Sequence, residues 1–126
     1  MNYDEPIHST YTLPAATISA SATLLTIIGP LGKKGHLIGL GSVVTTGVTD
    51  AASAIEIGDG TTDDLYGSLS IPVSSVGAAL NTATLSTNTL TQNSVNLIAA
   101  NSKVLVKADG GATAGAADLF VMIDWF

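Results

Sequence analysis

The last ten residues, ADLFVMIDWF (117–126), constrain the fold more than any other segment of the chain. In a strand, successive side chains alternate between the two faces of a sheet. Both faces would then be apolar: one holds Leu119, Val121, Ile123 and Trp125, and the other holds Phe120, Met122 and Phe126. A strand of this kind lies at the centre of a sandwich or is covered on its second face by another subunit. The pattern leaves both interpretations open.

The second interpretation places four side chains of this strand at a contact between subunits: Phe120, Met122, Trp125 and Phe126. Each aromatic ring buried in such a contact could contribute several kcal/mol, at roughly 25 cal/mol per Å² of apolar surface. The first interpretation requires no partner, because the core of any sandwich needs one apolar face from each strand.

The rest of the chain consists of short β-branched runs between turn signals, without sustained helical periodicity. The clearest alternation lies in residues 65–73, where Leu69, Ile71 and Val73 are predicted to point to the buried face and Ser68 and Ser70 to the other. Further strands are predicted at residues 22–29, 36–48, 54–57, 94–100, 102–108 and 118–126. About seven or eight short strands with this spacing are typical of a sandwich. We therefore expect an all-β, single-domain antiparallel β-sandwich or jelly roll over residues 21–126.

Four segments carry more specific expectations. Residues 1–20 show no sustained period and are predicted to form an extended N-terminal arm. The turn GPLGKKG (29–35) predicts a hairpin-like connection between the strands that flank it. Gly39 and Gly41 indicate a bulge or a close backbone neighbour within their strand. Residues 75–93 predict no more than one short strand, near residues 83–85.

Composition excludes several classes of function. The chain has 126 residues, a net charge of −6 and only four cationic residues, all of them lysine, so nucleic acid is not an expected partner. It has no cysteine, and thus no disulfide or thiolate metal site. Its apolar runs are of strand length, so we expect no membrane partner. The first residues lack a basic and apolar leader pattern, so synthesis without a cleaved export signal is expected.

No motif predicts catalysis, and we expect neither enzyme activity nor a cofactor. Asp59, Asp63 and Asp64 could supply oxygen ligands to a cation, but acidic glycine-rich turns are more often solvated loops. The GPLGKKG turn lacks the full phosphate-loop pattern. His8 and His36 have no nucleophile or carboxylate at a recognisable spacing.

Two segments, GPLGKKGHLIGLGSVVTTGVTDAASAIEIGDGTTDDLYGSLSIPV and the closing AGAADLFVMIDWF, resemble small structural proteins of tailed bacteriophage virions. The shared features are the GKKG turn, an I-x-I-G strand before an Asp-rich turn, Y-G-x-L-x-I-P, and an aromatic final strand. The resemblance covers residues 29–73 and 110–126. These motifs are architectural rather than catalytic.

The resemblance implies a capsid decoration, or cement, protein: a homotrimer on the outer surface of the virion head, made in the host cytoplasm, whose partner is the major capsid protein. In that case the arm would bind the capsid and would become ordered on binding. The residues assigned to this contact are Tyr3, Pro6, Ile7, His8, Tyr11 and Leu13. The alternative is a trimeric β-sandwich module of a phage head or tail fibre that binds a host receptor or glycan through its loops.

Overall fold

A computed structural model describes residues 7–74, 77, 79–80, 84–85 and 97–126 of the chain. Within these ranges the protein is all-β, with two antiparallel sheets and no helix, as the sequence predicts. None of the described residues belongs to a helix long and apolar enough to span a membrane.

The described ranges contain nine strands, two of them only two residues long. In chain order they are β1 (Ile7–Thr17), β2 (Ala22–Ile28), β3 (Gly35–Thr46), β4 (Ser53–Gly58), β5 (Gly67–Ile71), β6 (Ala79–Leu80), β7 (Thr84–Leu85), β8 (Lys103–Ala108) and β9 (Ala116–Trp125). The first sheet has the order β1-β9-β3-β6, and the second has the order β2-β8-β4-β5-β7.

The two sheets contribute to one hydrophobic core, an arrangement consistent with a β-sandwich. Leu37 and Val121 of the first sheet belong to the same buried cluster as Ile55, Leu69 and Val104 of the second. Strands β5, β8 and β9 bury alternate residues, so the other face of each is left for solvent or for a partner. The finer prediction of a jelly roll is not confirmed.

Strand β9 lies at the centre of the first sheet, where it pairs antiparallel with β1 on one side and with β3 on the other. Its inner face is buried in the core: Leu119, Val121, Ile123 and Trp125 are at most 1% exposed. Hydrogen bonding on both edges and burial of one face hold this strand in place within a single chain. The core interpretation of this face is therefore correct.

The indole of Trp125 occupies space that two glycines leave open. A Cβ atom on Gly29 or on Gly35 would overlap the six-membered part of the ring. The sequence pattern assigned both glycines to turn chemistry, but neither has a positive φ angle. Their role here is to let the backbone approach the largest side chain of the core.

The prediction of a hairpin at residues 29–35 is wrong, because β2 and β3 belong to different sheets. The segment instead carries the chain from one sheet to the other. Its first part is a tight turn in which Lys33 N–H donates to Pro30 O at 3.1 Å and Gly32 has a φ of 75°, as a type II turn requires. The same turn residues occur in a hairpin within one sheet and in a connection between two sheets. The local sequence therefore could not distinguish these two kinds of connection.

The bulge predicted near Gly39 is confirmed. The register of β3 against β9 shifts between Leu37 and Gly39, and Ile38 lies 39% exposed. The shift breaks the period of two, so that Leu37 and Leu40 are both buried although they are three residues apart.

The predicted separate arm over residues 1–20 is not confirmed. Residues 7–17 are extended, as expected, but they form β1, which pairs with β9 from Ile7↔Trp125 to Thr17↔Ala116. This segment therefore belongs to the first sheet. The register shifts between Leu13 and Ala16, where Ala15 adopts a φ of 50°.

Two predicted segments fall partly outside the described residues. Of the strand predicted at 94–100, residues 94–96 are not described, and Ile98 forms only an isolated bridge with Gly35. Within 75–93, the short strand predicted near 83–85 coincides with β7, but β6 is a second short strand, so the limit of one strand is wrong. Most of the remaining positions of that segment lie outside the described ranges.

Candidate functional site

The candidate site is the outer face of the first sheet, which we call the apolar face. It is formed by the β9 side chains that point away from the core, together with their neighbours in β1 and β3. Phe120 is half-buried, Met122 is 39% exposed, and Phe126, just beyond the strand, is 44% exposed. No other described strand covers these three side chains.

Small neighbours keep this face open. Met122 lies opposite Thr10 of β1 and Gly39 of β3, and Phe120 lies opposite Thr12 and Gly41. A Cβ on Gly39 would overlap the terminal methyl of Met122, so the methionine lies across the glycine backbone. Glycine is otherwise unfavourable inside a strand. Here it lets the side chains of β9 spread over the sheet surface.

The only formal charges that the three long strands of this sheet contribute are negative. Strands β1, β3 and β9 contain no lysine and no arginine, and β9 contains Asp118 and Asp124. The Oδ1 atom of Asp118 accepts the backbone N–H of Ala15 at 2.7 Å and so holds the bulge of β1 against β9. The carboxylate of Asp124 contacts Nδ1 of His8, its register partner in β1. The face is thus apolar in the middle and acidic near both ends.

His36 of β3 is the register partner of Asp124 on its other side, so two histidines flank one carboxylate across three strands. The Nε2 atom of His36 is buried and makes no hydrogen bond. Within the described ranges, no three His, Cys, Asp or Glu side chains come together in a way that could hold a metal ion. We assign this arrangement no catalytic step.

A cleft lies beside Phe120 at the Asp118 end of the apolar face. Its volume is about 270 Å³, and it is lined by Thr12, Leu13, Pro14, Asp118, Leu119 and Phe120. It lies beside the bulge of β1, where the register against β9 shifts, and Pro14 and the ring of Phe120 are two of its walls. We call it the Phe120 cleft.

The structure separates the four predicted interface residues into two groups. Phe120, Met122 and Phe126 lie on or beside the apolar face and are available to a partner. Trp125 is a correction, because it is 1% exposed inside the chain's own core and its Nε1–H donates to Tyr11 Oη at 3.1 Å. Packing within one chain already explains why this indole is buried.

The predicted capsid-binding residues are also divided. Ile7 is 44% exposed and His8 is exposed, so both can meet a partner. Tyr11 and Leu13 instead pack against the core from the inner face of β1, which corrects their assignment to a free arm. Tyr3 and Pro6 lie outside the described residues.

In the acidic turn that contains Asp59, Asp63 and Asp64, two of the three carboxylates have partners within the chain. Asp59 Oδ1 accepts the backbone N–H groups of Thr61 at 2.8 Å and Thr62 at 2.9 Å. These hydrogen bonds, that from Thr62 most strongly, hold the pKa of Asp59 below its usual value. Asp63 forms an ion pair with Lys107 at 2.8 Å. This geometry is that of a stabilised surface turn.

Sequence patterns missed one exposed feature, Leu31, whose side chain is 91% exposed. It lies in the turn over residues 30–34, which we call the Leu31 turn, and it is followed by Lys33 and Lys34. The sequence did contain a signal for this exposure: Leu31 lies between a proline and a glycine, at a central position of a type II turn. The Asp118 contact that holds the β1 bulge was missed as well, because it joins residues far apart in sequence.

The chain was compared with protein-family models, curated proteins and solved structures, and none of them matches.

Proposed function

We propose that this chain is a non-enzymatic structural protein of a tailed bacteriophage virion. In this proposal it is a capsid decoration, or cement, protein that binds the outside of the head as a homotrimer and stabilises contacts between major capsid subunits. One observation carries the proposal: the apolar face of β9 remains open although its inner face is already filled. An exposed apolar surface on a small all-β chain favours assembly over catalysis.

The edge of the first sheet also supports an assembly role. Strand β1 is the last strand of that sheet, so one side of its backbone meets no other strand within the described ranges. Edge strands with free N–H and C=O groups can accept a strand from a partner. We propose that the exposed β1 residues Ile7 and His8 take over the role that the sequence assigned to an arm. The same proposal includes the jelly-roll topology that the sequence analysis predicts.

The mechanism would be physical rather than chemical. Packaged DNA pushes the shell outward, and a trimer that bridges neighbouring capsid subunits adds buried surface that must separate before the shell can open. Three weak contacts from one trimer act together at a high effective concentration, so modest individual affinities would be sufficient. The negative charge of the chain suits an exterior position away from DNA.

The test is co-sedimentation of the purified chain with expanded capsids that lack it, followed by a count of copies per particle. We expect hundreds of copies and a rise in the temperature at which the capsids open. Capsids that bind none of the chain would contradict the proposal. A few copies per particle would instead support the receptor-binding or glycan-binding fibre module.

Point variants are more informative here than deletion of residues 1–20, because that deletion would remove β1 from the first sheet. Met122→Ser on the apolar face should reduce assembly or capsid binding while the chain stays folded. Leu105→Ser is the matched control, since Leu105 is a half-buried residue of β8, in the second sheet. Equal effects of the two variants would show that the apolar face has no special role.

A further inference from the structure

We infer that the Leu31 turn of one copy binds in the Phe120 cleft of a neighbouring copy. The turn offers an apolar side chain followed by two cations, and the cleft offers an apolar volume beside a carboxylate. The two surfaces are complementary in apolar character and in charge. The inference rests on the proposed function only for the number of copies, since the homotrimer would make the contact a ring of three.

Hydrogen bonds within the chain hold the Leu31 turn before any partner binds. Besides the bond from Lys33 to Pro30, Gly32 N–H donates to Asn101 Oδ1 at 2.9 Å. Lys34 and Phe126 exchange two backbone hydrogen bonds, of 2.8 and 2.9 Å, which tie the end of the turn to the end of β9. A leucine that is 91% exposed on so well held a turn loses little conformational freedom on binding.

The cleft can take this side chain. Its volume of about 270 Å³ exceeds the roughly 150 Å³ of a cavity that holds benzene. Pro14, Leu119 and Phe120 supply an apolar lining, and Asp118 supplies the carboxylate that the lysines would approach. Strands β1, β3 and β9 contribute no lysine or arginine of their own to this carboxylate.

The two surfaces cannot meet within one chain. The turn is bonded to Phe126, whereas the cleft lies beside Phe120, about six residues away along an extended segment. At 3.3–3.4 Å per residue this separation is about 20 Å. A contact between two different patches is heterologous, and it either closes into a ring or continues as a filament.

The first test is sedimentation equilibrium of the full chain over a wide concentration range. We expect the wild-type chain to form an oligomer and Leu31→Ser to raise its dissociation constant about 10- to 100-fold, the effect of exposing one leucine. Val73→Ser is the matched control, because Val73 is another exposed apolar residue, at 45%. A Leu31→Ser chain that associates as strongly as the wild type would overturn the inference.

The second test concerns the charges. Asp118→Asn keeps an oxygen that can accept the N–H of Ala15 but removes the negative charge, so it should weaken association at low salt and matter less at high salt. Lys33→Asp with Lys34→Asp should weaken it too. A double variant that associates as strongly as the wild type at low salt would show that the proposed pairing of charges is wrong.

The third test uses the heterologous character of the contact. Leu31→Ser retains its cleft, and Phe120→Asp retains its turn, so a mixture of the two should form a species of twice the 12.6 kDa chain mass. Each variant alone should be monomeric. A mixture that stays monomeric would overturn the inference.

Capsid co-sedimentation separates this inference from the proposed function. A wild-type chain that is monomeric in solution yet binds capsids would overturn the contact and leave the decoration role standing. A chain that forms the Leu31-dependent oligomer but does not bind capsids would contradict only the decoration role.

Discussion

The outer faces of the two sheets differ in chemistry although both cover the same core. The first sheet presents Phe120 and Met122 among glycine and threonine, with carboxylates near both ends. The second sheet presents Lys103, Lys107 and Glu56 from its central strands β8 and β4, besides the half-buried Leu105 and the exposed Ile28. Lys107 lies opposite Glu56 in register and forms an ion pair with Asp63, so this face carries both signs of charge.

This comparison shows that the inward-facing residues specify the fold, whereas the outward-facing residues specify the chemistry of each surface. Inward-facing residues of both sheets are similarly apolar, because either sheet must bury one face. Mixed charges on the second sheet are typical of a surface that meets water. Apolar side chains on the first sheet, with no lysine or arginine in its three long strands, are typical of a surface that meets a partner.

The largest effect should come from the inner face of β9. Trp125→Ala should lower the free energy of unfolding by about 3–5 kcal/mol, because it removes the largest fully buried side chain. Met122→Ala, on the outer face of the same strand, should cost the isolated chain less than about 1 kcal/mol. Urea unfolding at low protein concentration measures both. Similar losses would show that the two faces of β9 are not distinct in the single chain.

A smaller loss is expected at the pairing of β1 with β9. Tyr11→Phe removes the acceptor of the Trp125 indole N–H and should cost about 1–3 kcal/mol, the penalty for a buried donor without a partner. Thr10→Val removes a hydroxyl from the exposed face of the same strand and serves as the control. Thermal unfolding of both variants gives the comparison. A Tyr11→Phe chain as stable as the wild type would show that this hydrogen bond contributes nothing.

An increase in stability is expected at Ser42 of β3. Its hydroxyl is buried and makes no hydrogen bond, so Ser42→Ala should raise the free energy of unfolding by about 1 kcal/mol. Ser53 of the second sheet is equally buried, but its Oγ donates to Ile18 O at 2.7 Å. Ser53→Ala should therefore lower stability by about 1 kcal/mol. If both variants shift stability in the same direction, hydrogen bonding does not distinguish the two sites.

The smallest effect concerns Glu56 on the charged face. Burial raises the pKa of Glu56 most, with smaller contributions from Asp109, Asp63 and Asp64, while Lys107 lowers it. The folded chain thus binds this proton more tightly than the unfolded chain does, so the stabilisation is present at low pH and is lost as pH rises through the titration of Glu56.

Glu56→Gln should accordingly stabilise the protein at pH 7, by well under about 1 kcal/mol for so accessible a group, and should have no effect near pH 3. Melting temperatures at the two pH values provide the measurement. Destabilisation at pH 7 would show instead that the attraction between Glu56 and Lys107 outweighs the burial.

Local patterns predicted the elements of the fold well. The strands at residues 22–29, 36–48, 54–57 and 102–108 correspond to β2, β3, β4 and β8 with small changes at their ends. The bulge at Gly39 was predicted because a glycine inside a strand commonly marks a bulge or a close backbone approach. These features depend on residues close in sequence, and so a local pattern contains them.

Pairing between distant residues was not predictable. The contact of Tyr11 with Trp125 joins residues separated by 114 positions, and it is one of the contacts that make β1 part of the sheet rather than an arm. The cleft beside Phe120 exists only because the bulge of β1 lies against β9. The alternation of residues along β1 or along β9 does not indicate which strand will pair with it.

The sequence by itself determined that the protein is all-β and that both faces of the terminal strand are apolar, because alternation along a strand is a local property. Only the tertiary structure decided which face fills the core and which stays open. That choice depends on the pairing of β9 with β1 and β3, and on the two glycines that admit the Trp125 ring to the core. Burial of one face leaves Phe120 and Met122 as the surface on which assembly would depend.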